Sequence, residues 1–133
     1  MKLLTFPLLL YFLAGCGLAI HQLANYPEEI VEPASEDIVE YIGNQYEVAL
    51  HRFSFEGQTS IDQNVEKMLR AIGYEVGESG MAVDIKVFTE KGNPEVYVTL
   101  KIENRRITQA YAPLLSGEYG KSEETVTVGE YHE

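Results

Sequence analysis

The chain has 133 residues and a formal net charge of −11 at neutral pH, from 10 Lys and Arg against 21 Asp and Glu. Apolar residues make up 45% and charged residues 23%, a balance that supports a folded core and excludes a wholly disordered chain. The length suits one domain rather than a multidomain enzyme. The acidity repels nucleic-acid phosphates, since the longest basic run is Arg105 and Arg106.

Lys2 precedes an uncharged, mostly apolar run from Leu3 to Ala14, interrupted by Pro7. A membrane-spanning helix needs about 20 apolar residues, whereas a secretory signal needs only a cation and roughly 7 to 15 of them. The run therefore reads as a signal peptide over residues 1–15. It ends in Leu13, Ala14, Gly15 and Cys16, which resembles the lipobox of bacterial lipoprotein precursors. In those precursors small residues admit the signal peptidase and the cysteine thiol receives a diacylglycerol. Cys16 is the single cysteine, so no intramolecular disulfide is open to it and a Cys-rich zinc cluster is excluded. The alternative for Cys16 is a small buried residue in a longer N-terminal helix. Lipoprotein resemblance implies more than one acyl chain, which is what stable anchoring requires. Gly17 stands where an aspartate would favour retention in the inner membrane, so the same resemblance implies an outer-membrane location facing the periplasm.

Residues 16–34 show no sustained helical or alternating period and carry Pro27 and Pro33 among glutamates. They read as a lipid-anchored tether, in which Leu23, Tyr26, Ile30 and Val31 are candidate partner contacts; incidental hydrophobes in a linker are the plainer reading. The domain is expected over residues 35–128, with a flexible C-terminus at 129–133. Ser35 is an expected N-cap for a first helix over Glu36 to Gln45, with Glu36 and Asp37 in its first turn. VALHRFSF, from Val48 to Phe55, is a candidate strand. A second helix starts at Ser60, where Gln63 gives a capping-box spacing, and Ile61, Val65, Met68, Leu69 and Ile72 form its apolar stripe. Asp62, Asn64, Glu66, Lys67 and Arg70 read as its solvated face, and Gly73 as its stop.

Three strands follow, over Ala82 to Thr89, Glu95 to Glu103 and Arg106 to Pro113. Val96, Val98, Leu100 and Ile102 alternate with polar neighbours, the pattern of a half-buried strand. Lys91 to Pro94, and Asn104 with Arg105, supply reversals, which predicts an antiparallel meander. Thr125 to Val128 is one further short strand candidate. The expected class is α+β: a small two-layer domain of two helices against a mainly antiparallel sheet, in the approximate order α-β-α-β-β-β.

Residue patterns for catalysis are absent from the sequence. His21, His51 and His132 are scattered without metal-face spacing, no GxSxG elbow accompanies a histidine, and no glycine-rich phosphate loop is present. No catalytic residues, metal or cofactor are therefore expected beyond the covalent lipid on Cys16. Nine tyrosines against five phenylalanines suit interfaces as well as ordinary strand packing. Tyr111, Arg105 and Arg106 complete the candidate partner contacts.

Several segments, ASEDIVEYIGNQY, TSIDQNVEKMLRAIGYEV, PEVYVTLKIENRRITQAY and SEETVTVGE, are similar in order and spacing to the conjugal-transfer lipoprotein family TrbH. Leu69, Arg70, Gly73, Tyr74 and Val76, with Ile107, Thr108 and Tyr111, are the most distinctive pieces. The resemblance implies a non-enzymatic outer-membrane component of a conjugative type IV secretion apparatus. It also implies partners among other channel subunits of the periplasm and outer membrane, with a multimeric ring as one arrangement and no direct nucleic-acid contact. The rival reading is a periplasmic envelope lipoprotein that binds a lipid, a glycan or an outer-membrane assembly partner.

Overall fold

The computed structural model describes residues 20–23, 25–122 and 127–130. Leu13, Ala14, Gly15 and Cys16 lie outside the described residues, as do Thr125, Val126 and Tyr131. Two helices, α1 (Val31–Gln45) and α2 (Ser60–Ile72), pack on an eight-stranded mixed, mostly antiparallel sheet. Its strands are β1 (Ile20–Gln22), β2 (Arg52–Phe55), β3 (Glu75–Val76), β4 (Met81–Glu90), β5 (Val96–Ile102), β6 (Arg105–Pro113), β7 (Tyr119–Lys121) and β8 (Thr127–Glu130). The fold is α+β, and the expected α-β-α-β-β-β order describes its longer elements.

The meander β4-β5-β6 carries the architecture. Its antiparallel registers pair Ile85 with Leu100 and Leu100 with Ile107. Because side chains alternate across a strand, Val83, Ile85 and Val87 then share one face with Val96, Val98, Leu100 and Ile102. All seven are buried; the helices supply Ala34, Ile38, Ile42, Ile61, Val65 and Leu69 to the same core, and Ile30, just ahead of α1, joins them. The remaining strands line the meander's margins: the sheet runs β3-β2-β4-β5-β6-β7, with β1 also on β4 and β8 also on β6. β2 pairs parallel with the start of β4 while β1 pairs antiparallel with its end. β7 and β8 likewise take opposite halves of β6. Splitting each long margin between two short strands leaves little bare edge for indiscriminate pairing.

The structure moves the inner limit of the expected tether. Ile20–Gln22 is a sheet strand, Glu28–Ile30 forms a 3₁₀ turn, and α1 begins at Val31 rather than Glu36. Pro33 is accommodated because an amide in the first helical turn has no intrahelical acceptor to lose. Ser35 is therefore not a cap. It is buried one turn in, where its hydroxyl donates to the Val31 carbonyl at 2.6 Å. Val48–Leu50 is a 3₁₀ turn, so only the second half of the expected strand is β2. At the other end, β8 continues to Glu130, opposite Arg105, inside the span expected to be flexible.

The α2 cap sits one residue earlier than the spacing suggested. The Thr59 amide and hydroxyl donate to Asp62 Oδ2 at 3.0 and 2.6 Å, and the Asp62 amide donates back to Thr59 Oγ1 at 3.4 Å. Asp62 is consequently buried, not part of a solvated face. The Ile61 amide donates to the Tyr26 hydroxyl at 3.1 Å, so the chain ahead of α1 satisfies an orphan donor at the start of α2.

Gly80 lets the approach to β4 lie directly on β2: a Cβ there would sit 2.5 Å from the Phe53 carbonyl carbon and 2.7 Å from that of Arg52. Backbone cannot yield as a side-chain tip can. Gly80→Ala is expected to destabilise the fold by about 1–3 kcal/mol. Gly43→Ala, at an exposed position of α1 with nothing within 4 Å, is expected to stabilise it by about 0.5–1 kcal/mol. Urea midpoints of the two variants check both signs.

Candidate interaction surfaces

The candidate contacts divide sharply by burial. Ile30 is enclosed and Tyr111 is 1% exposed, so both spend their surface within the chain's own core. Leu23, Tyr26 and Val31 pack partly buried against that core, and the Leu23 amide extends the β1 seam by donating to the Val87 carbonyl at 2.8 Å. Only Arg105 and Arg106 of this set are exposed. They flank opposite faces of β6, since neighbouring strand residues point to opposite sides. Arg105 donates to Gln45 Oε1 at 2.6 Å and to the Tyr41 hydroxyl at 3.4 Å, fastening the β5–β6 hairpin to the last turns of α1.

Buried tyrosines organise the polar contacts on the helix side. The Tyr111 hydroxyl donates to Asp37 Oδ2 at 2.5 Å, and Lys121 Nζ lies 3.2 Å from Asp37 Oδ1. This ties α1 to β6 and β7. Tyr46, at the end of α1, donates to Glu103 Oε1 at 2.9 Å. Glu103 occupies the turn between β5 and β6 with φ of 55°, a conformation that is costly for a side-chain-bearing residue and that this contact helps to hold. The Tyr74 hydroxyl donates in turn to the Tyr46 carbonyl. The rings of Tyr46, Phe53 and Tyr74 meet edge to face, with centroids 5.7 and 5.4 Å apart.

These hydroxyls are poorly suited to base or nucleophile roles. Burial first, then the neighbouring carboxylate, pushes Tyr111 and Tyr46 well above the ordinary tyrosine range, so both retain their protons. His51 places Nδ1 3.0 Å from the Glu47 carbonyl and packs its ring edge to face on Tyr46 with centroids 5.0 Å apart. Both its recorded partners serve packing. Among the described residues no group of three His, Cys, Asp or Glu side chains converges on a metal-sized space, and no helix is long and apolar enough to cross a membrane.

Among the described residues, an open groove of 750 Å³ runs between α1 and α2 with Val31 and Met68 among its lining, Glu28, Glu32 and Glu36 on one side and Lys67 on the other. A concavity of 180 Å³ lies between α1 and the sheet beside Tyr111. The sheet face away from the helices holds one of 240 Å³ among Asp84, Lys86, Phe88, Lys101 and Arg106. Another, of 330 Å³, lies at the helix-end margin and is lined by Val48, Leu50, His51, Arg52 and Glu75 among others.

The residues that sequence patterning missed are the exposed large hydrophobics. Val48, Leu50 and Ile72 stand at that margin, and Leu114 and Leu115 at the β6–β7 hairpin tip. The only sequence signal for the latter pair is their place in a turn, between Pro113 and Ser116-Gly117. Ile72 belonged to the expected core stripe, yet it is 52% exposed.

A pH prediction follows from the tyrosines. Because folding raises their pKa, the stability they contribute is complete below the unfolded tyrosine value of about 10 and is lost as pH climbs beyond it. Urea midpoints measured from pH 8 upward are expected to fall steeply above about pH 10, and Tyr111→Phe is expected to flatten that fall. An unchanged slope in the variant would remove Tyr111 from the account.

The family described as Conjugal transfer protein TrbH matches the chain over residues 21–129. No curated protein and no solved structure matches it. That span takes in β1, both helices and every long strand, so the chain belongs to the TrbH family of conjugal transfer proteins, which implies a role in the conjugative transfer apparatus.

Proposed function

We propose that the chain is a structural lipoprotein of a conjugative type IV secretion apparatus. Lipid on Cys16 anchors it in the outer membrane, and its domain faces the periplasm, where it joins other channel subunits through protein–protein contacts. Family membership carries this reading. Three features support it: the Leu13-Ala14-Gly15-Cys16 motif, the exposed apolar side chains at two margins of the domain, and the commitment of the buried polar groups to packing. A non-catalytic role is part of the proposal. The domain offers a rigid α+β body with Arg105 held in place by α1 and Arg106 on the opposite sheet face. The groove between the helices is open and lined largely by polar side chains, a poorer match to an acyl chain than the enclosed apolar pocket a lipid carrier would need.

Affinity purification of the full chain from detergent-solubilised envelopes, with Cys16→Ala in parallel, tests this. The native chain is expected in the outer-membrane fraction, in a high-mass complex with other transfer subunits identified by mass spectrometry. Cys16→Ala is expected to lose membrane partition, since the lipid is the anchor. Recovery of the native chain as an isolated monomer carrying a lipid or glycan would sink the proposal in favour of the ligand-binding reading.

A further inference from the structure

Strand register sorts the exposed apolar side chains between the two ends of the strands. His21 pairs with Thr89, Thr89 with Val96 and Val96 with Tyr111, so His21 and Tyr111 stand level with each other across the sheet. Beyond that level lie the start of β1, the β4–β5 turn with Lys91, and the β6–β7 hairpin, whose tip residue Leu115 is four positions past Tyr111. Leu50 lies at the opposite end. It precedes β2, which pairs in parallel with the first residues of β4, and the stretch from Met81 to Thr89 alone separates the two ends by roughly 25 Å.

Cys16 belongs to the same end as Leu115. Five positions separate it from His21, and a chain covers at most about 3.5 Å per residue, so a lipid on Cys16 is attached within about 18 Å of the His21–Tyr111 level. Leu115 reaches roughly 13 Å past that level on strand geometry, and β6 stands three strand spacings, about 14 Å, from β1. Three residues, rather than a long tether, lie between Cys16 and the first paired residue, Ile20. In the hairpin the Leu114 amide donates to the Glu118 carbonyl at 2.7 Å and the Gly117 amide to the Leu114 carbonyl at 3.0 Å. The loop is thus held by its own hydrogen bonds, with Leu114 half exposed and Leu115 fully exposed. A pre-ordered apolar side chain loses little conformational freedom on docking. The carboxylates of these strands and turns stand behind the tip: Glu118 is level with Leu114, and Glu90 and Glu95 fall three positions short of Leu115.

We propose that Leu115, with Leu114 beside it, inserts into the phospholipid surface that carries the Cys16 anchor, as a second contact that fixes how the domain stands on the membrane. The proposal rests on the lipidation of Cys16 argued above. The short connection from Cys16 to β1 selects lipid as the occupant, because it holds this end of the strands at the bilayer. An apolar tip too small to bind a free protein to a membrane then makes an effectively intramolecular contact. Lys91 at this end stands against Glu90, Glu95 and Glu118, so the surface that suits it is zwitterionic rather than anionic. In this orientation Leu50 and Arg105, at the far end of the strands, face away from the membrane.

The test uses the full chain purified from envelopes, with mass spectrometry reading the lipid on Cys16, and reconstituted in vesicles of phosphatidylethanolamine and phosphatidylcholine. A fluorescent amino acid replaces Leu115, or Leu50 in a parallel preparation. Phospholipids bearing a quenching group partway along the acyl chain are expected to quench position 115 about fivefold or more over position 50. With the probe moved to Ser116, Leu115→Glu, at a site whose exposure spares the fold, is expected to lower quenching about threefold or more, and Leu115→Met to preserve it. Exchanging the vesicle lipid for phosphatidylglycerol at low salt is expected to weaken the contact. A lipidated chain whose position 115 is quenched no more than position 50, or whose quenching is unchanged by Leu115→Glu, overturns the membrane contact and leaves the anchor standing. A chain without lipid on Cys16 overturns the anchor reading and the contact with it, so the two failures are distinguishable.

Discussion

The rest of the structure depends on the alternating face of β4, β5 and β6. Seven branched apolar side chains from β4 and β5 occupy one side of two paired strands, and a one-residue slip would turn each of them to solvent. That penalty sets the register and obliges both helices to the same side. It also frees the opposite side for polar residues such as Lys86, Thr99 and Thr108. The parallel β2 follows from the same demand. With α2 occupying the crossover between β2 and β3, the chain returns in the same direction along the sheet.

Around that core, tyrosine rather than carboxylate chemistry connects the layers. Tyr111 and Tyr46 pack their rings inward while each hydroxyl finds a carboxylate on a different element. This satisfies the polar end of a large apolar side chain where burial would otherwise cost free energy. The contacts also explain why burial and hydrogen bonding keep these groups neutral. Gln109 works similarly on β6, donating to the Ser122 carbonyl at 3.2 Å and so joining β6 to the chain beyond β7. The interior is polar at a few fixed points, each engaged in packing.

An acidic chain whose buried tyrosine hydroxyls are engaged internally offers partners two kinds of contact: arginines on sheet and hairpin positions, and apolar side chains the domain leaves exposed. The second kind is concentrated at the two ends of the sheet order. An interface core of aliphatic side chains with a charged rim is the arrangement in which a few residues dominate binding.

How much of this was legible beforehand depended on the range of the interaction. Local periodicity determined α2, the three long strands and the two-layer α+β class, because the alternation of Val96, Val98, Leu100 and Ile102 and the stripe of Ile61, Val65 and Leu69 each report a face directly. The segments of TrbH resemblance likewise lay in the linear order of residues. Tertiary structure decided what is set by partners distant in sequence. Three residues around Ile20 form a strand only because β4 is long enough to pair with them. Pro33 and a helix starting at Val31 coexist only where Ile30 and Ala34 have a core to enter. Tyr111, a candidate contact by type, is buried by Asp37 arriving from a helix, whereas Ile72, a core residue by periodicity, is left in solvent because the core ends before it. Periodicity specifies the direction in which a side chain points, and only the packed elements decide whether anything is there to meet it.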